Sequence, residues 1–179
     1  MISPPRPSRL VAALALACGI GVLSFGSNVL AQTQAPSEPT SVEVFGDWRL
    51  ECRPNPAGGE DVCLMIQTVT GGAENRPLAQ MAVGLAGPER QRIAVLTVPL
   101  GVYLPGGINL SVDGEPIGKV NFRHCTINGC QTELPLEAEV LAKLKAGSKG
   151  QVLFLDSRGT KVPVPLSLKG FTAASDNLR

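Results

Sequence analysis

The chain has 179 residues, 44% hydrophobic and 17% charged, with sixteen Lys and Arg against fifteen Asp and Glu. That length suits one domain with a real core. Neither the charge nor its distribution points to nucleic acid or an anionic membrane surface as a partner.

The chain begins with an export-like segment. Arg6 and Arg9 supply a positive start, an apolar run follows from Leu10 to about Leu23, and Val29-Leu30-Ala31 places small residues before Gln32. This predicts a signal peptide over residues 1–31, cleaved near Ala31, and a periplasmic or secreted mature protein. The alternatives are an uncleaved N-terminal anchor and lipidation at Cys18, where Ala15-Leu16-Ala17 is a poor lead-in. Without Arg6 and Arg9 the mature chain holds fourteen basic and fifteen acidic residues. Past the leader no apolar run approaches a membrane span, so the mature domain is expected not to cross a membrane.

Residues 32–41 are polar, contain Pro36 and Pro39, and read as a flexible spacer. A single domain is expected over 42–174, with 175–179 as a C-terminal tail. Val42, Val44, Trp48, Leu50 and Cys52 share one parity and predict a half-buried strand, with Gly46 a bulge and Phe45 an exception. Further strands are expected over 62–69, 78–85, 92–98, 108–112 and 119–123. Asp113-Gly114 and Asn128-Gly129 are hairpin signals.

One helix is expected near residues 136–146. Leu136, Val140, Leu141 and Leu144 form its apolar stripe, Pro135 suits its first position and Gly147 its stop. Glu137 and Glu139 lie early and Lys143 and Lys145 late, as the helix dipole favours. Strands over 151–156 and 161–168 follow. Pro163 and Pro165 remove two donors from one side of the last strand, which places it at a sheet edge. Many short strands, frequent turns and one helix predict a mainly β antiparallel sandwich or barrel.

Four cysteines outside the leader fall in two close pairs, Cys52 with Cys63 and Cys125 with Cys130. In an exported chain this reads as two structural disulfides. Local pairing is favoured, and the two crossed connectivities stay open. Both spacings are irregular for zinc, and Cys125-Thr-Ile-Asn-Gly-Cys130 is a turn rather than a C-x-x-C opening a helix. Neighbouring His124 and Cys125 would point to opposite faces of a strand, which suits no nucleophile–base pair.

His124 shares parity with Val120 and Phe122 and is expected on or near the core face. Asp47, Glu51 and Asp113 read as solvated, and Trp48 as core. The chain contains no G-x-S-x-G, H-E-x-x-H or P-loop pattern. No cofactor, metal or catalytic residue is therefore assigned. The apolar loop with Leu100, Val102, Tyr103 and Leu104 either plugs the end of the sandwich or forms a contact surface.

The order of motifs resembles a known family. Phe45-Gly46-Asp47-Trp48 leads to Cys52, and a second strand opens at Cys63. Leu104 to Gly107 precedes Ile108 to Gly114. Cys125-x4-Cys130 is followed by a helix, and Ser167-Leu168-Lys169-Gly170-Phe171 comes near the end. From about Val42 to Ala174 this is similar to the invasion-associated locus B family of bacterial exported proteins. The resemblance implies an immunoglobulin-like β-sandwich outside the cytoplasm, in a family whose eponym was linked to entry into host cells. It implies no enzyme mechanism and no set of site residues. The function expected is a non-enzymatic interaction module, with a protein partner in the envelope or on a host cell. The alternatives are a small-ligand carrier or hydrolase using His124 or Trp48, and a thiol–disulfide exchanger.

Overall fold

A computed structural model describes residues 38–179. The expected leader, its cleavage point, Cys18 and most of the spacer lie outside the described residues. Among the described residues, eleven strands form two antiparallel sheets, accompanied by two α-helices. One sheet has seven strands in the order β1(Ser41–Phe45), β2(Trp48–Arg53), β3(Val62–Gly71), β4(Arg76–Ala86), β5(Gln91–Val98), β9(Gly129–Pro135), β8(His124–Thr126). The other has four, ordered β11(Lys161–Ser167), β10(Lys149–Leu155), β6(Ile108–Val112), β7(Glu115–Val120). This is the mainly β sandwich that the alternation predicts.

The core lies between the sheets. Alternate residues of the larger sheet, Leu50, Met65, Met81, Val83, Ala94 and Leu96, are buried. Ile108, Leu110, Val152, Phe154, Val164 and Leu166 of the smaller sheet complete the same cluster. Each fully buried side chain of this size contributes roughly 1.5–3 kcal/mol relative to exposure.

The edges are handled differently. In β11, Pro163 and Pro165 share parity with Ser167, so all three turn their backbone away from β10. The prolines offer no donor there. Ser167 is satisfied by a side chain of the opposite sheet: its N–H donates to Gln67 Oε1 at 2.8 Å, and its C=O accepts from Gln67 Nε2 at 3.0 Å. The Gln67 amide stands in for a neighbouring strand and ties the two sheets together. The edge position predicted for this strand is observed.

Several expectations change. The strand expected through Val42 to Cys52 is a hairpin, turning at Gly46-Asp47 so that Phe45 pairs with Trp48. Directly opposed residues share a face. Phe45 therefore joins Trp48 on the inner side, while Val42 and Val44 are 49% and 70% exposed. The strand expected over 119–123 occurs at Glu115–Val120. Strand β9 was not foreseen; its Thr132 is fully buried. The first helix, α1, begins at Ala138 and ends at Ala146, with Leu144 buried. A second helix, α2(Phe171–Asp176), follows the last strand. Ser175 is fully buried and Leu178 is 6% exposed, so residues expected as a tail belong to the core.

Candidate functional site

The residues that carry the family resemblance meet in space. The β1–β2 turn packs on the segment between β11 and α2. Asp47 N–H donates to Lys169 C=O at 3.1 Å, and Ser167 Oγ donates to Asp47 Oδ2 at 2.6 Å. Trp48 Nε1 donates to Ser167 C=O at 2.9 Å, and its ring packs edge-to-face with that of Phe171, the centroids 5.1 Å apart. Two glycines permit this contact. A Cβ on Gly46 would lie 2.6 Å from Lys169 O, and one on Gly170 would lie 1.9 Å from Phe45 O. Both have positive φ, +57° and +87°. Phe45-Gly46-Asp47-Trp48 and Leu168-Lys169-Gly170-Phe171 are therefore the two halves of a clasp. Trp48 and Phe171 are fully buried, so the clasp is architecture rather than a ligand platform.

Both cysteine pairs are disulfides with the local connectivity. Each joins directly opposed residues of neighbouring strands, Cys52 with Cys63 across β2–β3 and Cys125 with Cys130 across β8–β9. The Cα atoms are 4.0 Å apart in both. The second bridge closes the Asn128-Gly129 hairpin, as its turn signal anticipates.

His124 and Trp48 do not form a site together. His124 is exposed on the edge strand β8, which corrects its expected place on the core face. Beyond Val120 the chain leaves β7 and re-enters the other sheet, so parity with Val120 says nothing about His124. Trp48 sits on β2, with four strands between it and β8. Among the described residues no group of three or more His, Cys, Asp or Glu side chains is gathered to hold a metal ion.

The carboxylates have structural partners. Glu51, expected as solvated, is 9% exposed on the outer face of β2, between Arg49 and Arg53. The hydrogen bond from Arg53, joined by that from Arg49, holds its carboxyl below the usual carboxylate range against the opposing effect of burial. Asp113 accepts the backbone N–H groups of Ser148 at 3.0 Å and Lys149 at 2.9 Å, and these lower its pKa. Asp156 accepts those of Thr160 and Arg158, with the same effect.

The loop from Leu100 to Gly107 caps one end of the sandwich. Val102 is half-buried and forms an isolated β-bridge with Asp156. Tyr103 N–H donates to Leu155 C=O at 2.9 Å, and Ser157 N–H to Gly101 C=O at 2.8 Å. A turn of 3-10 helix, Leu104–Gly106, follows. Val102 thus anchors the loop, while Leu100, Tyr103 and Leu104 are 57%, 48% and 49% exposed. The tip of the β8–β9 hairpin adds Ile127, 94% exposed. Leu100 and Ile127 line one groove with Pro77, Thr97 and Gln131. Sequence reading missed Ile127, although an apolar residue beside Asn-Gly inside a short cysteine loop has no core to enter.

Comparison with known proteins agrees with this architecture. The crystal structure of invasion associated protein B from Bartonella henselae superposes with a TM-score of 0.66 at 24% identity, covering 76% of this chain and 93% of that one. An invasion protein B homolog of Brucella abortus (strain 2308) is 28% identical over 142 residues, spanning 78% of this chain and 80% of the relative. The homolog in Brucella abortus biovar 1 (strain 9-941) matches to the same extent. The profile of the Invasion associated locus B (IalB) protein family matches residues 48–179, from the tryptophan of the clasp to the last residue, and the chain belongs to this family.

Proposed function

We propose that this is an exported, disulfide-stapled interaction protein of the bacterial envelope, without enzymatic activity, and that it contacts a protein partner through the capped end of the sandwich. The carrying observation is the exposed apolar set Leu100, Tyr103, Leu104 and Ile127 on a loop and hairpin held firm by backbone hydrogen bonds and a disulfide. Apolar groups held out on a rigid base lose little conformational entropy on binding, which is what an interface anchor requires. The relatives' names, which refer to invasion, support a host-cell surface as one setting for this contact; the envelope is the other.

The test is a photoreactive side chain at Leu104 in intact cells, with a control at exposed Thr172. One discrete adduct at position 104, weakened at least tenfold by Leu100→Asp with Ile127→Asp and absent from the control, is expected. No adduct, or the same adducts at both positions, would overturn the reading.

A further inference from the structure

The two outer faces of the sandwich are dressed differently. On the smaller sheet Asn109, Ser111 and Gln151 alternate with buried Leu110 and Val152. That is the pattern of a face left to water. The three middle strands of the larger sheet do not alternate. Residues 62–66 of β3, 81–86 of β4 and 93–96 of β5 are apolar or glycine throughout. Unbroken apolar runs belong to strands covered on both faces. The inward residues of these runs fill the core. Of the outward ones, Ile66, Ile93 and Val95 are half-buried without packing on that core, and Leu64 is 36% exposed.

The ladder register sets these residues in rows across the sheet. One row runs Arg49, Ile66, Ala82, Val95, Glu133. The next places Leu64, Gly84 and Ile93 side by side. Leu64 folds over Gly84, where a Cβ would lie 2.6 Å from Leu64 Cδ2, so the middle of the patch is filled. The row on the other side is polar, from Thr68 through Gln80 and Thr97 to Gln131. An apolar centre inside a polar and charged rim is the anatomy of a protein interface.

The charges identify the occupant. Strand β4 is the middle of the five strands in the first row, which ends in a cation on β2 and an anion on β9. A half-turn about an axis lying along β4 brings a second copy face to face, in the aligned packing of two sheets. It sets Arg49 of each copy over Glu133 of the other, Ile66 over Val95 and Leu64 over Ile93, with Ala82 facing itself. Arg49 and Glu133 keep 52% and 41% of their side chains exposed beside their partners in the chain, Glu51 and Arg123, so each can take a second partner. Five strands about 4.8 Å apart and three rows about 6.8 Å apart give a face of roughly 500 Å² on each copy. The total of about 1,000 Å² lies at the low end for a specific interface, which suits a weak, reversible dimer.

We infer that the outer face of the seven-stranded sheet is a homodimer interface, with a two-fold axis along β4 and reciprocal Arg49–Glu133 pairs at its two sides. The half-turn keeps the strand direction, so both capped ends lie at the same end of the dimer. The interface is separate from the apolar end assigned to a protein partner, and neither depends on the other.

The test is sedimentation of the mature protein over a concentration series, with two charge reversals. The parent is expected to form a dimer with a Kd of about 100 µM or tighter. Arg49→Glu alone and Glu133→Arg alone each place like charges at both sides of their own homodimer, and each should weaken it at least tenfold. An equimolar mixture of the two variants restores both pairs in the heterodimer, so the mixture should associate as the parent does. Both positions are exposed, and the variants should keep the parent's melting temperature. Should either melt early, Ala82→Cys decides instead. Packed sheets lie about 10 Å apart, so a thiol reagent of that span should join two copies at position 82. The same reagent should leave a Ser111→Cys control monomeric. A parent that stays monomeric to about 1 mM would overturn the inference. So would a dimer indifferent to both reversals, a mixture no stronger than the single variants, or equal cross-linking at positions 82 and 111.

Discussion

At the residue scale, Gly170 shows how a short motif acts through what it lacks. Its backbone sits at φ +87°, and a Cβ would fall 1.9 Å from the Phe45 carbonyl oxygen. Gly159 has nearly the same φ, +81°, but open space where its Cβ would be. Alanine at either position meets the left-handed backbone cost, roughly 1–2 kcal/mol. At Gly170 the clash with fixed backbone adds about 1–3 kcal/mol more. Gly170→Ala should therefore lower stability in urea by about 2–5 kcal/mol, and Gly159→Ala by only about 1–2. Equal losses would mean that the close approach contributes nothing and that the motif has another reason to exist. The sequence showed the glycines and their neighbours; it could not show that residues 45–48 and 167–171 touch, because no local pattern encodes a contact more than a hundred residues apart.

At the element scale, legibility followed the period. Strands with clean alternation, such as β6 and β11, fall where the residues place them. The β1–β2 hairpin did not, because the two-residue turn at Gly46-Asp47 moves the inward face from odd positions in β1 to even positions in β2, so Val42 and Val44, which count in step with Trp48, lie outside. Strand β9 was hidden by Cys130, Thr132 and Leu134, whose inward face includes a buried threonine that reads as polar. The cysteines were legible as staples, and their register gives the reason: each bridge joins residues already opposed in a ladder. By loop entropy the Cys52–Cys63 bridge is worth about 3 kcal/mol and the Cys125–Cys130 bridge about 2. Replacing both cysteines of the first pair with serine should lower the denaturation midpoint more than replacing both of the second. The second replacement should instead loosen Ile127, read as faster amide exchange confined to residues 124–130. Exchange that speeds across the whole larger sheet would show that this hairpin stabilises the fold globally rather than shaping one surface.

At the scale of the whole molecule, the end of the chain completes the sandwich. Strand β11 is an edge, and beyond it α2 turns Phe171 onto Trp48, inside the space between the sheets. Ala174 and Ser175 are fully buried and Leu178 nearly so, which extends the core four residues past the expected boundary at 174. No sequence period announces this, because six helical residues are too few to repeat a stripe. The consequence is measurable. A mature chain ending at Ala174 loses the burial of Leu178, about 2 kcal/mol. It also loses the last turn of α2, including the Asn177 N–H bond to Ala173 C=O, and the Lys145–Asp176 ion pair. The bond and the exposed pair add about 1 kcal/mol together. A loss near 3 kcal/mol in a domain of this size lowers the melting temperature by roughly 10 °C. Leu178→Ala in the full chain should reproduce about half or more of that fall without removing any backbone. If truncation and Leu178→Ala both melt like the parent, residues 175–179 are a tail after all. If truncation alone destabilises, the helix turn rather than the leucine closes the sandwich.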